Sequence, residues 1–297
     1  MNRSSLKVPA LLLALTLMWG TNWVLFRVAL DELPVLTFRS GVLLSGVFSL
    51  GLIMWIRGES FAIPKGRWLA LIVASVTNVG IWNVATSMAV LYLPSGHASV
   101  LAYTMPLWVA LIGLTVYRQR LSGRLLAAIV IGAAAVVALM IPNFASYAKA
   151  PLGLFWGLLA AISWAIGTFV VKRTDWGGQW GGGGLALTFW QVALTVPPMM
   201  LGMVVIDGIP THLPSTAALA VMIYTGGLPM AFGTVVWFAL VRLLPTQVAA
   251  LSSIAIPIVA IVSGIVLLHE PLSALQAVAI ASTVISLWLA LVPSRSV

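Results

Sequence analysis

Ten apolar runs, each about as long as a bilayer's hydrocarbon layer is thick, follow one another along this chain with short loops between them. They fall at about Val8–Leu30, Pro34–Ile56, Trp68–Leu91, Ser95–Tyr117, Arg124–Ile141, Gly153–Val171, Gly183–Ile206, Thr216–Val241, Pro245–Leu268 and Ser273–Val292. A helix needs roughly 20 apolar residues to cross the hydrocarbon, twice the length of a barrel strand. Inside lipid each backbone polar group must be paired, which helices achieve within a single segment. The chain is therefore expected to be an all-α membrane protein of ten transmembrane helices.

Composition agrees with the run lengths. Of 297 residues, 61% are hydrophobic and 7% charged, against roughly 25% charged in a soluble chain. Ten helices and their loops leave no room for a separate extramembrane domain. There are no cysteines, so disulfides and thiol-ligated metals are excluded. A net charge of +9 on a soluble protein would point to nucleic acid. Here the basic residues are spread over short loops, so the expected partners are the lipid bilayer and a small-molecule substrate, with no nucleic acid and a monomer sufficient. Arg3 and Lys7 before an apolar run resemble a signal peptide. The run continues to Leu30 without a small-x-small site, which reads as a retained first helix.

Charge also orients the bundle. With the N-terminus in the cytoplasm, twelve of the fifteen basic residues fall on the cytoplasmic side; Arg27, Arg39 and Lys149 do not. Such asymmetry is the positive-inside pattern, and an even helix count puts both termini in the cytoplasm. The expected location is a bacterial inner membrane.

The chain repeats itself. A shift of 151 positions lays Pro94 on Pro245, Ala98 on Ala249, Pro106 on Pro257, Gly113 on Gly264 and Leu121-Ser122 on Leu272-Ser273. A shift of 147 lays Gly20-Thr21 on Gly167-Thr168. This divides the chain into five helices over residues 1–147 and five over 148–297. Five is odd, so the second set enters the membrane from the opposite side. Inverted repeats of this kind build many secondary transporters, each half able to adopt the other's conformation. The Gly-rich connector Asp175–Gly184 reads as a flexible link with Trp176 and Trp180 at the interface.

Two stretches carry a family resemblance. ALVRLLPTQVAALSSIAIPIVAIVSGIVLLHEPLS, Ala239 to Ser273, and WGTNW, Trp19 to Trp23, resemble the EamA-type ten-helix exporters of the drug/metabolite transporter superfamily. In size and Trp content the chain is similar to the YddG-type exporters of aromatic amino acids within it. The resemblance implies a ten-helix fold and export of small metabolites. One departure is that Gln119 stands where the repeat would match Glu270, which implies a topological or folding role for that acid.

Polar groups inside a bilayer are expensive, so they mark function. No Asp, Glu or Lys falls in the middle of a run, and proton carriers are commonly buried carboxylates. A carrier driven by its substrate's own gradient is the simpler expectation. Arg27 and Arg39 lie about one turn from the outer helix ends, where they can snorkel, and Arg27 could pair with Asp31. His97 reads as an interfacial residue.

The expected substrate-binding set is neutral: Trp19 and Asn22 in the first helix; Asn78, Trp82 and Thr86 on one face of the third; Ser99 and Tyr103 in the fourth; Trp164 and Thr168 in the sixth; Trp237 in the eighth; Ser253 in the ninth. Rings would stack on an apolar or aromatic group while amides and hydroxyls meet a polar end. Such Ser, Thr and Asn residues also commonly join helices. Pro106, Pro229 and Pro257 would kink their helices and free carbonyls, as hinges or as structure. The sequence shows no catalytic residues, cofactor motif or metal spacing. The expected function is export or facilitated passage of amino acids, aromatic and other neutral ones, by alternating access through an uncharged, Trp-rich cavity. Export of other amphipathic metabolites or drugs is the alternative, with a membrane-embedded enzyme well behind.

Overall fold

The structure, a computed structural model, describes residues 3–177, 184–209, 212–259 and 274–291. Among the described residues, eight helices are long and apolar enough to span a membrane, and two shorter apolar helices complete a set of ten. They are α1 (Arg3–Leu30), α2 (Val35–Ile56), α3 (Trp68–Tyr92), α4 (Ser95–Thr115), α5 (Gly123–Met140), α6 (Pro151–Arg173), α7 (Gly184–Asp207), α8 (Thr216–Leu243), α9 (Thr246–Val259) and α10 (Ala274–Leu291). The ten-helix membrane fold read from the apolar runs is the fold found. A short helix, Phe144–Lys149, precedes α6, and the expected boundary at residue 147 falls inside it. Trp180, Gly264, Glu270, Leu272-Ser273, and the side chains of Arg27 and Ser252, lie outside the described residues.

The outer surface is apolar, as a lipid solvent requires, and the interior sets buried polar groups within an apolar core. Phe48, Trp55, Leu69 and Ile206 are exposed, while Asn78, Thr86, Gln191 and Arg39 are buried. Packing crosses between the halves: α2 lies against α7, α5 against α10, and α6 against α3 and α4, while α1 leans on α8 and α4. Small residues set the spacing. The α2 stripe of Gly41, Ser45 and Ser49 faces α8, where a Cβ added at Gly227 would touch Ser49 Oγ at 3.4 Å and Ser45 Oγ donates to the Ile223 carbonyl at 3.1 Å. Gly132 of α5 meets Ser286 of α10, whose hydroxyl donates to the Ala128 carbonyl at 2.7 Å.

Two helices carry a seven-residue π-helical segment: Ser75–Ile81 in α3 and Gly226–Phe232 in α8. Adding 151 to the first range gives the second, the same offset that relates Pro94 to Pro245. Such bulges are rare and gather at functional sites. Proline accounts for one, since Pro229 cannot donate its i→i−4 bond; its counterpart in α3 is Asn78. Helices α4 and α9 break in a similar way. The α-helical course stops at Tyr103–Thr104 and at Ser253–Ile254, shortly before Pro106 and Pro257. At the breaks the bonding tightens to i→i−3, as in Thr104 N to Leu101 O and Ile254 N to Leu251 O.

Two expectations are corrected here. Arg39 does not snorkel: it is 2% exposed and points into the bundle from α2. Trp176 is not at the interface either; it is buried and its Nε1 donates to the Val171 carbonyl at 3.0 Å.

Candidate functional site

The breaks and π-helical segments surround a central cavity of about 50 Å³. Helix α1 contributes Trp19, Asn22, Trp23 and Phe26, and α2 contributes Arg39. Helix α3 supplies Asn78, Val79, Trp82 and Asn83, and α8 supplies Thr225, Pro229, Met230 and Thr234. Tyr103 at the α4 break and Trp164 of α6 complete the wall. Both halves of the chain therefore line it. Three α3–α8 lining pairs, Asn78 with Pro229, Val79 with Met230 and Asn83 with Thr234, stand 151 positions apart.

Aromatic rings form a continuous cluster. Trp82 and Trp164 lie 4.6 Å apart between centroids, Trp19 and Trp164 meet edge to face at 5.5 Å, and Trp237 backs both Trp19 (5.7 Å) and Trp164 (5.9 Å). Edge-to-face and offset pairs are each worth about 0.5–1.5 kcal/mol beyond the area they bury. Trp19 Nε1 donates to the Pro229 carbonyl at 2.8 Å, and Trp23 Nε1 to the Tyr103 hydroxyl at 3.3 Å. The α1–α8 contact is pinned by the Thr225 hydroxyl donating to Asn22 Oδ1 at 2.9 Å.

Other polar atoms here have no partner among the described residues. Asn78 Nδ2 donates to Gln191 Oε1 at 3.1 Å and Asn83 Nδ2 to the Val79 carbonyl at 2.8 Å, which leaves both Oδ1 atoms unpaired. The Nε1 atoms of Trp164 and Trp237 are also unpaired. Buried polar groups are nearly always paired, so the unpaired Asn83 oxygen and Trp164 N–H on the cavity wall mark a place built to receive something polar.

Arg39 overturns the expected neutrality of the cavity. Its Nε donates to Ser87 Oγ at 2.6 Å and a terminal nitrogen to Thr86 Oγ1 at 3.0 Å. Phe26 and Phe38 hold its guanidinium carbon 4.0 and 5.0 Å from their ring centroids. Hydropathy could not reveal this, because a residue one turn from a helix end has two directions open to it. The available signal was Thr86-Ser87 at a similar depth on α3.

Of the expected set, Trp19, Asn22, Asn78, Trp82, Tyr103, Trp164 and Pro229 are brought together at the cavity. Trp237 stands behind it and Thr86 holds Arg39. Ser99, Thr168 and Ser253 are not brought to it. Their hydroxyls donate to carbonyls of their own helices, Gly96, Trp164 and Ala250, at 2.7, 2.8 and 2.7 Å. Pro106 and Pro257 sit beside the helix breaks without lining the cavity. Arg39, Trp23, Phe26, Asn83, Thr225 and Thr234 join the wall beyond the expected set.

Ties between the halves bridge both ends of the bundle. At one end Asp207 accepts from the Thr37 amide and hydroxyl at 2.7 and 3.0 Å, and Glu32 accepts from the Ser215 amide and hydroxyl at 2.6 and 2.5 Å. The Ser215 bonds hold the Glu32 carboxyl below its ordinary pKa. At the other end Gln247 bonds Gln119, and Arg67 meets Asp175 at 3.7 Å.

Comparison with known proteins agrees with this architecture. The model of the EamA-like transporter family matches residues 6–141 and again residues 151–292. The uncharacterized transporter YoaV of Bacillus subtilis is 23% identical over 90% of each chain. YvbV, a second uncharacterized transporter of that organism, is 27% identical over 89% of this chain and 85% of its own. A protein of Escherichia coli named as a probable amino-acid metabolite efflux pump is 25% identical over 92% of this chain and 90% of its own. One crystal structure superposes with a TM-score of 0.74, covering 98% of this chain and 97% of the other at 18% identity, which speaks to the fold alone.

Proposed function

Because the chain belongs to the EamA-like transporter family, we propose that it carries amino acids, aromatic and other neutral ones, across a bacterial inner membrane by alternating access through the central cavity. One observation carries this reading: a cavity lined by both halves, with unpaired polar atoms beside a Trp cluster. Rings suit an aromatic or apolar side chain, and the unpaired Asn83 amide oxygen and Trp164 N–H suit a polar head. The name of the Escherichia coli relative supports the amino-acid class.

The small volume fits a closed intermediate. Pockets that hold drug-sized ligands run to about 300–1,000 Å³, whereas 50 Å³ admits a few waters or a small polar group. A whole substrate enters when the rings part and one end of the bundle opens. The π-helical segments and the α4 and α9 breaks are the proposed hinges, with Pro106, Pro229 and Pro257 beside or within them. The five-plus-five division supplies two equivalent ways of opening, and the basic residues orient the bundle with both termini in the cytoplasm. Among the described residues no carboxylate lines the cavity, which supports passage down the substrate's own gradient, with a monomer as the proposed transporting unit.

Uptake by proteoliposomes of an amino-acid panel and drug-like cations, with and without a pH gradient, tests the proposal. Transport of aromatic amino acids without the gradient is expected, and Trp82→Ala and Trp164→Ala should lower it at unchanged expression. Activity that disappears without the gradient would overturn the facilitative mechanism, and normal transport in both variants would remove the Trp cluster from the pathway.

A further inference from the structure

Among the described residues the Arg39 guanidinium is the one charged group on the cavity wall, and its contacts there leave it electrically uncompensated. Ser87 and Thr86 each accept one hydrogen bond from it, and Phe26 and Phe38 offer ring faces. Guanidinium has five N–H donors, so some remain free. Among the described residues no carboxylate lies within ion-pairing distance. A buried charge without a counter-ion is costly, and natural proteins pair such groups. A structural Arg could have been an uncharged residue at this place. A guanidinium held rigidly by two hydroxyls, with donors left over beside a cavity, is instead arranged to meet an anion, and its planar fork matches a carboxylate.

The rest of the wall specifies more than an anion. The unpaired Asn83 Oδ1 is an acceptor, unsuited to a carboxylate and suited to an ammonium group, whereas that of Asn78 packs against Gly167 of α6. The Asn83 amide is fixed in orientation, since its Nδ2 is already committed to the Val79 carbonyl. A positive donor and a neutral acceptor thus share a cavity whose size fits a small polar head, with Trp82 and Trp164 beside it.

We propose that Arg39 is the carboxylate anchor of a zwitterion site: the substrate's carboxylate binds Arg39, and its ammonium group binds the Asn83 amide oxygen. This deepens the amino-acid reading above and rests on it. It also bears on the alternative substrates, because an uncompensated cation in the wall repels amphipathic cations.

Binding, measured apart from transport, keeps the two readings distinguishable. Purified protein in nanodiscs is titrated with L-phenylalanine, 3-phenylpropionate and phenethylamine, following quenching of its own tryptophans. Phenylalanine should bind best. Phenylpropionate, lacking the ammonium, should bind more weakly, and phenethylamine, lacking the carboxylate, about 10- to 100-fold more weakly than phenylalanine. Arg39→Gln should weaken phenylalanine and phenylpropionate by a similar factor and leave phenethylamine unchanged, while Arg39→Lys should restore part of the loss. The wild-type ligand series needs no variant to fold. Equal wild-type affinity for phenylalanine and phenethylamine, or unaltered phenylalanine binding in a folded Arg39→Gln protein, would overturn the anchor. Carboxylate-dependent binding without transport in proteoliposomes would sustain the anchor and defeat the transporter reading.

Discussion

Gly167 is where a single methyl group should do most damage. It faces the π-helical segment of α3, and a Cβ placed there falls within 2.5 Å of Thr77 Oγ1 and nearer still to Asn78 Oδ1. Neither neighbour is free to yield. The Thr77 hydroxyl donates to the Val73 carbonyl at 2.7 Å and Asn78 is tied to Gln191 at 3.1 Å. Overpacking a close-packed interior costs about 1–3 kcal/mol. Displacing Asn78 adds an interhelical hydrogen bond, worth on average about 0.6 kcal/mol in bilayers. Against these stands the helical preference for Ala over Gly, about 1 kcal/mol. Gly167→Ala should therefore be destabilised by about 0.5–2.5 kcal/mol, reversing the sign expected of a Gly-to-Ala change in a helix. Gly96→Ala, in open space, is the control and should cost nothing. Reversible unfolding in mixed micelles, followed by tryptophan fluorescence, reads both. The cause is tested by adding Asn78→Ala, which makes room: the double variant should be less destabilised than the two single effects added together. A Gly167→Ala protein as stable as the wild type, or strict additivity with Asn78→Ala, would refute the close approach of α6 to α3.

Three further outcomes follow from the same contacts. Glu32 has a lowered pKa because of its bonds from Ser215, so its contribution is complete above the ordinary value of 4.5 and is lost as pH falls through the lowered one. The gap in unfolding midpoint between wild type and Glu32→Gln should hold steady above pH 4.5 and narrow below it; a gap unchanged by acid would contradict the latch. Ser122 caps α5 by accepting from the Leu125 amide at 3.2 Å, so Ser122→Ala should cost about 1 kcal/mol, measured by the same unfolding assay. Lys172 Nζ donates to the carbonyls of Val241, Arg242 and Leu244 at 2.7, 3.2 and 3.1 Å; Lys172→Met should loosen the end of α8 and speed hydrogen exchange there.

The spans were legible because hydropathy over about 20 residues depends on little besides composition. The repeat was legible at α4 and α9 because proline leaves the same mark wherever it recurs, and the Trp residues stood out because indoles inside a membrane are conspicuous. Tertiary direction was not legible. Arg39 could have turned to the interface or inward, and what decides is the Thr86-Ser87 pair and two Phe rings, brought up by α1, α2 and α3 together. Hydroxyls misled for a related reason. Ser99, Thr168 and Ser253 sit at promising depths yet bond back to their own helices, a choice that spacing does not encode. The π-helical segment of α3 has no proline to announce it; only its partner in α8 does.

That unequal pair bears on how a duplicated protein diverges. Asn78 and Pro229 have no side-chain chemistry in common, yet each occupies the fourth place of a seven-residue π-helical segment. The two repeats thus share a path of the main chain, while the side chains on it differ. One repeat sets an amide oxygen against Gly167 of α6; the other offers a carbonyl, already taken by Trp19. A duplicate of this sort is symmetric in how it bends and asymmetric in what it can grasp.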